Sequence, residues 1–171
     1  MDATVVGTWL LAAAISINSE VDLTETATAG GIDAWLYGSS NHLLNQAQPL
    51  EGLKLTIGAD ATFAEVKTHA LNLAWYDREG VLDEQVTPFD GIVTIEGNLM
   101  YLHPEAPIAG ASSEAEVRNA RVRYDDGDTI ICDQIERVND MLVRTMSVVT
   151  DELYLDRTIL IYQRATGEAV G

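Results

Sequence analysis

Hydrophobic and polar positions alternate with period two along much of the chain, the spacing of a half-buried strand. Residues 5–17 open with Val5, Trp9, Leu11, Ala13, Ile15 and Ile17 on one parity and Val6, Thr8, Leu10, Ala12, Ala14 and Ser16 on the other. Leu and Ala at 10–14 would suit a helix, but the Val, Thr and Ile around them favour a strand. The same alternation returns at 53–57, 62–67, 71–76, 92–95, 99–103, 117–124, 129–135, 141–149 and 153–163. Turn signals separate these runs, among them Gly58-Ala59-Asp60, Asp77-Arg78-Glu79-Gly80, Glu96-Gly97-Asn98 and Asp125-Asp126-Gly127-Asp128. Eight to ten strands with turns every ~8–12 residues predict an all-β antiparallel barrel or sandwich.

Residues 18–50 break the rhythm. They are Thr-rich at first, then carry Trp35, Tyr37 and Leu43, with room for one short helix before Pro49 restarts an extended chain. So long and apolar a connection is expected to be a lid over the mouth of a barrel. No repeat or internal boundary appears, so residues 1–171 read as a single domain, large enough to bury its own core.

Composition narrows the class. There are 27 acidic and 10 basic residues, a net charge of −17, which opposes binding to nucleic acid or to an anionic membrane. Cys132 is the one cysteine, so no intrachain disulfide can form, in keeping with a reducing compartment. The apolar run at 5–17 is far short of the ~20 residues of a spanning helix and lacks a basic flank and a cleavage site. A soluble, cytoplasmic protein is expected.

The two ends of the chain carry a further signal. Gly7-Thr8-Trp9 lies in the first strand and Tyr162-Gln163-Arg164 closes the last. An N-terminal Gly-x-Trp strand, a β-meander and a final Tyr-x-Arg resemble the lipocalin and fatty-acid-binding (calycin) barrels, most of all the compact bacterial lipocalin-like domains. The resemblance implies an up-and-down barrel of about eight to ten strands. Its base would be closed by Gly7, Trp9 and Arg164, with the guanidinium over the indole, and Arg157 stands as a second candidate for that place. A guanidinium stacks well on an indole face while its donors cap free carbonyls. The chain departs from the family in its long 18–50 segment and in lacking recognisable lipocalin motifs in its middle. The Arg-x-Tyr with which fatty-acid-binding barrels grip a carboxylate is also missing, because Leu160 stands two places before Tyr162.

Candidate chemistry is sparse. His42, His69 and His103 are scattered, and Asp125-Asp126-Gly127-Asp128 lacks the rest of a calcium loop, so no metal is expected. Neither a nucleophile elbow nor a phosphate loop occurs, so no cofactor is expected either. Six Tyr and three Trp outnumber two Phe, which suits a cavity that buries and orients a ligand. Trp35, Tyr37, Trp75, Tyr101 and Tyr162 are the candidate ligand-binding residues. Parity places Asp156, Thr158, Leu160, Tyr162 and Arg164 on one face of the last strand, and Arg144, Met146 and Val148 on one face of the strand before it. If those faces point inward, Arg144, Asp156 and Tyr162 form a candidate acid–base or oxyanion-stabilising cluster; if outward, they are a solvated face. Two functions stay open. One is a binding module for a small hydrophobic molecule; the other is a cofactor-independent cyclase or isomerase that shapes a polyketide- or terpenoid-like substrate, for example a pericyclic cyclase.

Overall fold

A computed structural model describes residues 4–20, 29–68, 89–96, 99–104, 116–118, 121–123, 129–150 and 154–166. Trp75, the expected strand at 71–76 and the turns at 77–80 and 125–128 lie outside the described residues. So do His69 and most of the loop at 104–114.

The described residues are mostly antiparallel β-sheet, with few helices, and the sheet curls into a half-barrel. Its strands are β1 (Gly7–Glu20), β2 (Gln48–Pro49), β3 (Leu53–Ile57), β4 (Thr62–Lys67), β5 (Phe89–Glu96) and β6 (Leu99–Pro104). They continue with β7 (Glu116–Arg118), β8 (Arg121–Arg123), β9 (Thr129–Val138), β10 (Met141–Thr150) and β11 (Tyr154–Arg164). Helix α1 (Ala29–Tyr37) and a 3-10 helix (Asn41–Gln46) lie between β1 and β2. The order across the sheet is β10-β11-β1-β3-β4-β5-β6-β9-β8-β7; β2 sits beside β1, and β9 also pairs with β10. Sequence alternation over 117–124 suggests one strand there. The structure instead pairs Arg118 with Arg121 and Glu116 with Arg123, so the chain reverses between two short strands.

β1 and β11 pair from Trp9↔Arg164 to Glu20↔Tyr154, with the register shifting between Leu11 and Ala13. That bulge changes which parity faces the core. Trp9 and Leu11 point inward before it and Ala14 after it, joining Leu53, Leu55, Ile57, Phe63, Ile135, Leu142, Leu160 and Tyr162 in one cluster. Ala13 and Ile15, of the same sequence parity as Trp9, pack instead with Val143, Ile159 and Ile161 on the other face. The extra backbone carbonyl is not wasted: Ala12 O accepts from Leu50 N–H at 3.1 Å.

The second cluster corrects the expectation of a lid. Leu43, Leu44 and Ala47, from the 3-10 helix and the residue after it, cover Val143, Ile159 and Ile161 on the outer face of the sheet. α1 lies over β10 on that same face, where Trp35 Nε1 donates to Val148 O at 3.3 Å. Strands β10, β11 and part of β1 are therefore buried on both faces, which explains the near-continuous burial from Leu142 to Ser147 and from Arg157 to Tyr162.

One end of the half-barrel is sealed around Trp9. Its ring is fully buried, and its Nε1 donates to Val5 O at 2.8 Å. Arg164 and Arg137 stack on it with guanidinium carbons 4.7 Å and 5.1 Å from the ring centre. Both donate to Thr4 O at 2.9 Å. Gly7 has φ +134°, and a Cβ there would stand 3.2 Å from Arg164 Nη1. Only glycine meets both demands comfortably.

Candidate functional site

Four polar side chains meet inside the curled sheet, each next to an apolar residue of the same inward-facing row. Glu65 follows Phe63 on the inner face of β4; Asp133 precedes Ile135 on β9; Arg144 follows Leu142 on β10; Tyr162 follows Leu160 on β11. All four are almost wholly buried: Glu65 is 1% exposed, Asp133 5%, Arg144 2% and Tyr162 0%.

Arg144 is the hub. Its Nε donates to Asp133 Oδ1 at 2.9 Å and to Oδ2 at 3.2 Å, and its Nη2 donates to Oδ2 at 2.6 Å, a forked grip of the kind that suits a planar guanidinium. Its Nη1 reaches across the interior to Glu65 Oε2 at 2.5 Å. The Tyr162 hydroxyl donates to the same Oε2 at 2.7 Å. One guanidinium thus ties β9 and β10 to β4, and Tyr162 adds β11.

Burial by itself would cost the charged form of Arg144 dearly, but the Asp133 and Glu65 carboxylates outweigh that cost, and its pKa lies above the ordinary guanidinium value. For Tyr162, burial and then the Glu65 charge push the phenol well above its usual 10.0, against a smaller opposing pull from Arg144. The phenol is therefore a held proton donor rather than an acid at neutral pH.

Below this cluster, toward Trp9, the interior is packed: Trp9, Leu55 and Leu142 have no exposed surface. Above it the inner face continues through Ala14, Met146 and Thr158, each slightly exposed, to the exposed Ser16 and Asp156 at the other end. The cluster marks the boundary between the two.

The candidate residues fall into distinct places. Arg144 and Tyr162 come together. Asp156 shares their face, but it is exposed and sits opposite Val148, four positions from Leu160, the partner of Arg144. At ~3.3 Å per residue that is ~13 Å along the strand. The carboxylates on Arg144 are Glu65 and Asp133, which sequence reasoning missed: Asp133 shares the parity of Ile131 and Ile135, but Glu65 lies between Phe63 and Lys67, a mixed parity that marks no apolar face.

Trp35 stands apart from Tyr162, on the outer face. Arg157 stacks on its ring at 4.2 Å. The same guanidinium donates to Ser147 Oγ at 3.0 Å, to Ser40 Oγ at 2.8 Å and to Trp35 O. Arg157 is thus a latch for α1 and not a closure of the Trp9 end. Tyr37 is the half-buried last residue of α1. Tyr101 lies on β6, in register with Thr94 and Gln134. Gly7, Trp9 and Arg164 meet at the sealed end, joined by Arg137 of β9, whose place there gave no sign in the sequence.

Among the described residues, no helix is long and apolar enough to cross a membrane. Comparison with known proteins finds no protein-family model that matches the chain and no curated protein that matches it.

Proposed function

We propose that the curled sheet closes as a lipocalin-like barrel and binds a small hydrophobic molecule in the half away from Trp9, with the Glu65–Asp133–Arg144–Tyr162 cluster as a polar floor. Pairing of β9 with both β6 and β10 supports closure. The observation that carries the binding reading is the change in the inner face at that cluster. Beneath it the interior is filled, and beyond it Ala14, Met146 and Thr158 line a wall that leads to exposed residues. An apolar wall with a few fixed polar groups at one end is the usual composition of a small-molecule site.

Native mass spectrometry of freshly purified protein, followed by extraction, tests this. A retained apolar molecule released unchanged is expected, and its affinity should fall when Thr158→Trp fills the wall. Equal binding of apolar probes by that variant would overturn the placement.

Catalysis is the second reading, favoured by the Tyr162–Glu65–Arg144 chain of hydrogen bonds. A rigid, satisfied polar group at the end of an apolar recess can fix one end of a flexible substrate while the walls fold the rest, as a cofactor-independent cyclase or isomerase requires. Turnover of candidate polyenes by the purified protein would select it over simple binding.

A further inference from the structure

The arrangement on Glu65 has a specific chemistry. A guanidinium N–H from β10 and a phenol O–H from β11 converge on one carboxylate oxygen, Glu65 Oε2, at 2.5 Å and 2.7 Å. Two such donors, buried and aimed at a single point, make a receptor for a carboxylate. The carboxylate that occupies it belongs to β4, whose Glu65 stands opposite Leu55 in register and is 1% exposed. The remaining grip of Arg144, its Nε and Nη2, is spent on Asp133.

We infer that Glu65 is a built-in occupant of an Arg–Tyr carboxylate site, and that it thereby excludes carboxylate-ended ligands from the inner face. A ligand carboxylate approaching Arg144 would meet Glu65 and Asp133 already bound there. It would have to expel one of them or lie unpaired beside both, and an unpaired buried charge is costly. Neutral ends carry no such penalty. The ligand half of the inference rests on the proposed recess; the identity of Glu65 as an occupant does not.

Two experiments separate these parts. Glu65→Ala removes all but the first carbon of the side chain, and acetate has the size and charge of what is lost. Thermal melting of the variant is expected to shift upward with acetate relative to chloride at equal ionic strength and relative to neutral acetamide, with no such selective shift in the wild type. If Glu65→Ala is unfolded in chloride, acetate in the refolding buffer is expected to restore its far-UV circular dichroism. Absence of any acetate-selective effect in either form would overturn the assignment.

Titration calorimetry with 1-decanol and decanoate at pH 8 then reads the ligand class. The wild type should prefer the alcohol by about tenfold or more, the equivalent of a modest desolvation penalty, and Glu65→Ala should narrow or reverse that preference. Equal wild-type affinity for decanoate would refute the exclusion. Rescue by acetate with no binding of either probe would instead remove the recess reading and leave the role of Glu65 standing.

Discussion

At the scale of residues, the interior is governed by one cation. Arg144 ion-pairs with two buried carboxylates, Glu65 and Asp133, so Arg144→Met should cost about 3–5 kcal/mol, because removing one member of a buried ion group costs more than the lost bonds alone. Urea denaturation of the variant checks this; a loss under about 1 kcal/mol would mean that the carboxylates are well served without the guanidinium. Replacing Arg144, Glu65 and Asp133 together by apolar residues should recover much of the loss, since a buried ion group is often no better than a packed hydrophobic one. Tyr162 gives a pH signature. Its folded-state pKa is raised above the ordinary 10.0, so its contribution to stability is complete below about pH 10 and is lost as pH climbs toward the raised value. Tyr162→Phe should therefore cost about 1–3 kcal/mol at neutral pH. It should also flatten the alkaline end of the stability profile, measured by denaturation at a series of pH values from 8 to 11.

At the scale of elements, α1 and the 3-10 helix are held on the outer face by an apolar contact, the Trp35–Val148 hydrogen bond and the Arg157 latch. Arg157→Ala removes the stack on Trp35 and the donors to Ser40, Ser147 and the Trp35 carbonyl together. Hydrogen exchange over residues 29–46 should quicken by an order of magnitude or more, while β1 and β3 stay protected; uniform loss of protection would show instead that the latch supports the sheet itself. The bounds of β3 and β4 were fully legible in their alternation, whereas the meeting of the Gly-x-Trp strand with the last strand was legible from the demands of barrel closure and from the motifs at the two ends of the chain. What alternation could not reveal was the bulge at Ala12, since one extra residue swaps faces without disturbing composition. Nor could it reveal that β10 and β11 are covered on both sides. Val143, Ile159 and Ile161 carry the same hydrophobic signal whether they face the interior or a helix. Because of that ambiguity, residues 18–50 read as a lid while the structure lays α1 and the 3-10 helix along the outside. The inner site was half legible: parity brought Arg144 and Tyr162 to one face, but their carboxylates came from β4 and β9, strands whose acidic residues look like any other polar position until the register is known.

At the scale of the whole molecule, a net charge of −17 acts as a general strain on the folded state. The buried ion pairs of Arg144 are shielded from salt by their surroundings, whereas repulsion among surface carboxylates is not. Melting temperature should therefore rise as sodium chloride increases from about 0.02 M to 1 M, where the screening length falls to ~3 Å. A flat or falling profile would show that the acidic surface is already balanced. The pairing of β1 with β11 has a different consequence, one of timing. Residues 7–20 find their main partner only at residues 154–164, so during synthesis the first strand emerges long before the ribosome has made the strand that shelters it. Such long-range closure is slow and leaves an apolar edge waiting in solution. A chain stopped at residue 153 is expected to stay unfolded and to aggregate, and supplying residues 154–166 as a separate peptide should restore strand signal in circular dichroism. The fold, in effect, withholds its commitment until its last strand has been delivered.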